Sequence, residues 1–399
     1  MTRPHHISIM GSTGSIGKSA LDVVRHANAC GDQKFKIVAL AAGSDAEGLA
    51  AQAREFDADV AVIADETKID ELRSRLAGTN VTVDAGLSAV VEAASRPVDR
   101  LLAAIVGSAG LESTIAAVRA GNDVAIANKE SVVCGGKLIL REAARRGVKV
   151  LPVDSEHSAI FQCIGDGRSL EKMTITASGG PFRKASLEEM RSASPQQAAA
   201  HPNWSMGVKN SIDSATLMNK ALEFIEAGFL FDVGEDQLDV LVHPQSIIHG
   251  MAHFSDGSVI AQLGAPDMKT PISYALAWPD RTATNVDRLD LAKLGSLDFE
   301  SVDEDRFPAI RLARCAYQHG AAATTVLNCA NEVAVSAFIA GQCGFLDISW
   351  LVEQALSRYL EGSMQGIACE TLEEIAFLDR MTREMTRDIL GSDLRRMGG

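Results

Sequence analysis

A chain of 399 residues, 46% apolar and 23% charged, has the composition of a soluble globular protein and the length for two or three domains. Its formal charge of −14 leaves no general basic face, which excludes non-specific binding to nucleic acid or to an anionic membrane. Seven cysteines without a C-x-x-C pair fit neither a zinc cluster nor a disulfide framework, and suit reduced, packed thiols.

Ile7, Ile9 and Met10 predict a short strand that runs into the stretch GSTGSIGKS. A P-loop would need glycine five positions before Gly17, where Ser12 stands, so that reading fails by one residue. Gly11, Gly14 and Gly17 instead follow a G-x-x-G-x-x-G spacing. Helically spaced Ala20, Leu21, Val23 and Val24 come next, and then a second strand at Ile37, Val38, Ala39 and Leu40. Strand, glycine turn, helix and strand is the order a dinucleotide-binding unit requires; a plain helix-capping turn would share the glycines but not the context. The runs IVALAAG, ADVAVIA, NVTVDA, LLAAIVG, DVAIAN and VKVLPVD each follow a helix-like segment, which predicts a mainly parallel sheet covered on both faces up to about residue 153. No apolar run approaches the ~20 residues of a membrane-spanning helix, and a strand at residue 7 leaves no room for a signal peptide. The expected location is the cytoplasm.

Between 154 and 280 the chain is dense in Gly, Ser, His and Pro, with the clusters DSEH, SGGPF, HPNWSMG and HPQSIIH. Asp154 and Glu156 stand two apart, which at an extended strand end would aim both carboxylates the same way, to share a proton or bind a hard cation. In NSIDSATLMNKALEFIEA, Asp213 and Ser214 are expected to N-cap a helix on which Asn219 and Glu223 share a face with Lys220 beside them. A solvated polar stripe would look the same. Taken together, Asp154, Glu156 and Glu223 would suit Mg²⁺ or Mn²⁺, and Lys220, Asn219, Ser178 and Ser214 could hold a phosphate nearby. His157, His201 and His249 lie in the same section, where Trp204 and Met206 predict an apolar flap able to exclude water; ordinary loop packing is the alternative. A polar, acidic linker at 281–306 leads to four segments with helical apolar spacing, 307–319, 324–341, 346–361 and 371–391, which predict a bundle.

The segments GSTGSIG, ANKES, LPVDSEH, SGGPF, HPNWSMG, DSAT-x-MNK-x-LE, HPQS-x-IH and AQLG-x-PDM follow one another in a single order. In this the chain resembles, over essentially its whole length, the 1-deoxy-D-xylulose 5-phosphate reductoisomerase family. The resemblance implies an α/β enzyme with a Rossmann-like NADPH-binding domain at 1–153, an α+β catalytic, metal-binding and dimerisation domain at 154–280, a linker at 281–306 and a C-terminal helical bundle at 307–399. It implies a homodimer that rearranges and reduces 1-deoxy-D-xylulose 5-phosphate to 2-C-methyl-D-erythritol 4-phosphate for isoprenoid synthesis, with NADPH and Mg²⁺ or Mn²⁺.

By the same resemblance, Asp154, Glu156 and Glu223 ligate the metal, and Glu156 and Glu223 also bind the substrate. Ser178, Ser214, Asn219 and Lys220 hold the substrate phosphate, Lys129, Ser155 and His201 line the rest of its site, and Lys129, Glu156, His157, His201 and His249 serve catalysis. Thr13, Gly14, Ser15 and Ile16 form the pyrophosphate turn, Gly43, Ser44 and Asp45 lie where the adenosine ribose is read, and Asn128, Glu130 and Gly207 stand on the nicotinamide side. An acidic residue such as Asp45 ordinarily favours the free ribose hydroxyl of NAD over a 2′-phosphate. Two other readings compete: a semialdehyde dehydrogenase with Cys163 as nucleophile, and a silent NADP-binding sensor. A short-chain dehydrogenase is disfavoured, because none of Tyr274, Tyr317 and Tyr359 is followed four residues on by Lys.

Overall fold

Every apolar run of the N-terminal half becomes a strand of one parallel sheet in the structure, a computed structural model that describes residues 3–31, 34–165, 167–200, 207–362 and 366–392. The strands are β1 (His5–Met10), β2 (Phe35–Ala42), β3 (Val60–Ile63), β4 (Thr82–Ala85), β5 (Arg100–Ala103), β6 (Val124–Ile126) and β7 (Val150–Pro152), in the spatial order β4-β3-β2-β1-β5-β6-β7. Ile7, Ile9, Ile37, Leu40, Leu101 and Ile126 are buried, as a parallel sheet covered on both faces requires. The chain winds outward from β1 to β4 and then crosses back to β5, so the order reverses beside β1. Ligands of such sheets bind at the carboxyl ends of the strands at this switch point.

Two compact units divide the chain: Met1–Ser131, Ile139–Ser158 and Asp267–Arg288 form the first, and Val132–Leu138, Ala159–Pro266 and Leu289–Gly399 the second. The segment 281–306, expected as a linker, is shared. Its start stays with the first unit, and its end gives the second unit helix Leu291–Leu294 and strand Glu300–Ser301.

The second unit holds a mixed sheet of β8 (Leu170–Ala177), β9 (Leu238–Val242), β10 (Ile248–Phe254), β11 (Val259–Leu263) and β12 (Glu300–Ser301), ordered β11-β10-β8-β9-β12. Helices Ala309–His319, Ala321–Ile339, Phe345–Glu361 and Leu372–Ser392 meet the four expected segments. Helix Ala321–Ile339 corrects one expectation, since its 19 residues are long and apolar enough to cross a membrane. It is the core of the bundle, and 83% of its most apolar window is buried there. Its Thr324 hydroxyl donates to the Val133 carbonyl at 2.7 Å, while the Thr325 hydroxyl, 3.3 Å from the Cys134 carbonyl, has the Ala321 carbonyl of its own helix closer at 2.8 Å. The Val133 and Cys134 carbonyls lie just before Gly135, where helix Lys129–Arg146 leaves helical geometry.

Two local expectations give way. Asp154 and Glu156 are not on a strand end: β7 stops at Pro152 and helix Ser155–Cys163 begins at once, with the Ser158 amide bonded to the Asp154 carbonyl at 2.9 Å. A negative first turn suits a helix N-terminus, which offsets the weak helical pattern of the segment. Asp213 and Ser214 do not cap a helix either. They lie within helix Val208–Ala215, and the next helix, Met218–Phe231, is entered through Leu217 at φ 59°.

Candidate active site

At the end of β1 the glycines divide their work. Gly11 sits at φ 95°, and a Cβ there would fall 2.4 Å from the Ala104 carbonyl oxygen; a Cβ on Gly17 would fall 2.4 Å from the Gly11 oxygen. Both let the turn close on the protein itself. Gly14, exposed at the N-cap of helix Ser15–Cys30, has only the Gly11 oxygen within 4 Å of an added Cβ, at 3.4 Å. It leaves room for a ligand. The amides of Gly11 and Ser12 are spent on the Ala41 carbonyl at 2.9 and 2.8 Å, and Gln52 donates to the Ser12 carbonyl at 3.0 Å. The amides of Ser15, Ile16 and Gly17 precede the first helical bond, from Lys18 to Gly14 at 2.9 Å, and form the anion-attracting end of the helix. After β2, Gly43, Ser44 and Asp45 are exposed; the Asp45 carboxylate N-caps helix Ala46–Glu55 by accepting the Gly48 amide at 2.8 Å.

Asn128 and Lys129 begin helix Lys129–Arg146. Asn128 caps it, accepting the Ser131 amide at 3.2 Å and donating to the Gly107 carbonyl at 2.8 Å, so its side chain joins the loops that follow β5 and β6. Glu130 is buried beside it. The Lys129 ammonium lies 2.6 Å from Asp154 Oδ2, and Asp154 Oδ1 accepts the Ser155 amide at 3.1 Å. The Ser155 hydroxyl donates to Glu156 Oε2 at 2.6 Å, and His157 is fully buried in the same turn. Lys129, Asp154, Ser155 and Glu156 thus form one linked polar group of the first unit.

In the second unit the strand β8 delivers Ser178 into a turn where Gly179 and Gly180 take φ 85° and 66°. A Cβ on Gly180 would fall 2.7 Å from the Ser214 carbonyl oxygen, so the turn and Ser214 press together. The Gly180 amide donates to the Ser178 hydroxyl oxygen at 3.3 Å. Two residues beyond Leu217, Asn219 and Lys220 open helix Met218–Phe231 and donate to the two oxygens of the Glu223 carboxylate. Glu223 is 1% exposed, so the face-sharing of Asn219, Lys220 and Glu223 is a buried, charge-paired arrangement and not a solvated stripe. His249 is buried on β10, and Gly207 is the N-cap of helix Val208–Ala215. His201, Trp204 and Met206 lie outside the described residues. Cys163 is buried, and burial pushes its thiol up from the ordinary value, which suits a packed residue and not the nucleophile of a dehydrogenase.

Sequence reading passed over a second buried pair. Asp213 is fully buried, with Asn331 Nδ2 of the bundle at 2.8 Å from one oxygen and Lys209 Nζ at 2.8 Å from the other. The i,i+4 spacing of Lys209 and Asp213 is visible in the sequence; the Asn331 contact, 118 positions away, is not.

Three family models match the chain: 1-deoxy-D-xylulose 5-phosphate reductoisomerase at 7–136, its C-terminal domain at 150–231, and the DXP reductoisomerase C-terminal domain at 263–385. The reductoisomerase of Rhodospirillum centenum is 53% identical over 97% of this chain and 94% of its own length. The chain belongs to the 1-deoxy-D-xylulose 5-phosphate reductoisomerase family. The Agrobacterium fabrum reductoisomerase is 49% identical over 98% of this chain and 97% of its own. Among solved reductoisomerases, the Zymomonas mobilis enzyme in complex with NADPH superposes with a TM-score of 0.91 at 44% identity, covering 98% of this chain and 100% of that one. A reductoisomerase in complex with NADPH, fosmidomycin and magnesium gives 0.90 at 40% identity, covering 97% and 98%. The Rossmann-like sheet and helical C-terminal region expected from sequence are the reductoisomerase fold.

Proposed function

We propose that the reductoisomerase reaction is distributed over this chain as follows. The enzyme rearranges 1-deoxy-D-xylulose 5-phosphate to a branched aldehyde and reduces it with NADPH to 2-C-methyl-D-erythritol 4-phosphate. Ser178, Ser214, Asn219 and Lys220 hold the substrate phosphate, and Lys220 supplies the charge a dianion needs. Asp154, Glu156 and Glu223 are hard oxygen donors of the kind Mg²⁺ and Mn²⁺ take. The ion, when bound, polarises the substrate's carbonyl and neighbouring hydroxyl. Lys129, held against Asp154, keeps an ammonium beside the same carboxylates, Ser155 orients Glu156, and His157, His201 and His249 complete the set. Thr13, Gly14, Ser15 and Ile16 take the cofactor's pyrophosphate at an open helix N-terminus. Gly43, Ser44 and Asp45 meet its ribose; Asn128, Glu130 and Gly207 stand toward the nicotinamide. Trp204 and Met206 belong to the flap that excludes water. The observation that carries this reading is the buried Glu223, whose carboxylate takes Asn219 and Lys220 on its two oxygens.

The enzyme works as a cytoplasmic homodimer. Seven free cysteines support a reducing compartment. The strand β11 supports the dimer: it is an edge strand that exposes Val259, Ile260 and Leu263, and an unpaired apolar edge invites a second copy. The test is NADPH oxidation with 1-deoxy-D-xylulose 5-phosphate before and after chelation. Turnover is expected to stop on chelation and return with Mn²⁺ or Mg²⁺. Turnover that is indifferent to metal would contradict the reading.

A further inference from the structure

Asp213 is an expensive residue for its place. A carboxylate with no exposure costs several kcal/mol unless both oxygens are satisfied, and an apolar side chain would anchor helix Val208–Ala215 more cheaply. Here one oxygen accepts from the Asn331 amide at 2.8 Å and the other is charge-paired with the Lys209 ammonium 2.8 Å away. The planar Asn331 amide fixes the direction of the carboxylate and the Lys209 ammonium neutralises it, so the helix that carries Asp213 is tied to the bundle at one point. The next residue is Ser214, whose carbonyl already bears on Gly180 and accepts the Leu217 amide at 3.2 Å. The Thr216 hydroxyl donates to the Asp213 carbonyl at 3.2 Å and accepts the Met218 amide at 3.3 Å, which joins the Asp213 turn to the start of the Asn219–Lys220 helix. A displacement of Asp213 therefore reaches both helices that supply the phosphate grip.

We infer that Asp213 is a positioning residue for substrate-phosphate binding: clamped by Asn331 of the bundle and Lys209 of its own helix, it sets Ser214 and the Asn219–Lys220 turn at the geometry the phosphate requires. The inference rests on the assignment of those residues to the phosphate. It gives the C-terminal bundle a role in substrate affinity through one amide.

The experiment uses the full-length enzyme with Asp213→Asn, Asn331→Asp and the two combined. Asp213→Asn keeps an oxygen for Asn331 but turns a donor toward Lys209. It should raise the KM for 1-deoxy-D-xylulose 5-phosphate, and the Ki of inorganic phosphate as a competitor, by about tenfold, the scale of one charge-assisted bond. The KM for NADPH should stay near wild type. Asn331→Asp sets two carboxylates face to face and should be worse, and the combined variant, which restores one donor opposite one carboxylate, should recover to the level of Asp213→Asn. A KM for the substrate that stays at wild type in Asp213→Asn, a KM for NADPH that rises equally, or a combined variant no better than Asn331→Asp would overturn the inference. Should Asn331→Asp fail to fold, the split between the two KM values in Asp213→Asn decides alone. A wild-type enzyme that does not oxidise NADPH with this substrate would instead remove the assignment beneath it.

Discussion

A Cβ at Gly17 would fall 2.4 Å from the Gly11 carbonyl oxygen, whereas one at Gly14 would meet that oxygen at 3.4 Å. The two glycines therefore fail differently. Gly17→Ala forces the turn apart and should cost about 1–3 kcal/mol of stability, the scale of overpacking, read as a lower melting temperature. Gly14→Ala should leave melting unchanged and raise the NADPH KM about tenfold, because the methyl takes the space the pyrophosphate approaches through. Equal effects of the two on melting would sink this division of labour. At Asp45 the sequence shows an acidic residue where the resemblance expects the ribose, but not its engagement as the cap of the following helix. Asn caps as well as Asp, so Asp45→Asn should keep the melting temperature and lower the NADPH KM by about two- to fivefold, the size of an exposed charge interaction. An unchanged KM would mean that the Asp45 charge is not felt at the 2′-phosphate.

Among the elements, legibility followed the strength of the pattern. Strands buried on both faces and the four bundle helices were visible because continuous apolar runs and 3.6-residue spacing persist over many residues. The DSEH and DSAT segments misled because short polar stretches carry no period. Asp154 reads equally as a strand end or as the residue before a helix, and Asp213 as a cap or an interior residue, until burial decides. The contact of Thr324 inside helix Ala321–Ile339 was invisible for a related reason: its partner is the Val133 carbonyl, 191 positions earlier. Thr324→Val keeps the shape and leaves the Val133 carbonyl without that hydroxyl, which should cost about 1–3 kcal/mol. Thermal unfolding should shift down by several degrees; no shift would show that the kink needs no such bond.

For the molecule as a whole, the residue types proposed for the site were legible in order; Lys129, Asp154, Ser155 and Glu156 are linked in the first unit, and Asn219, Lys220 and Glu223 in the second. What order alone did not supply is which polar groups neutralise one another: Lys129 with Asp154, and Lys220 and Asn219 with Glu223. The dimer belongs to this scale. Ile260→Lys puts a charge on the exposed β11 edge, half of whose Ile260 surface faces solvent at 49% exposure, and should convert a dimer to a monomer by light scattering at unchanged secondary structure; a dimer that persists would place the interface elsewhere. The most direct test of the central claim is the metal-activation curve of Glu223→Gln for NADPH oxidation with 1-deoxy-D-xylulose 5-phosphate. Loss of a ligand should weaken activation by Mn²⁺ about a hundredfold or more, since removing even a partner of a ligand costs 10–100-fold. A variant that saturates at the wild-type metal concentration would contradict the three-carboxylate site.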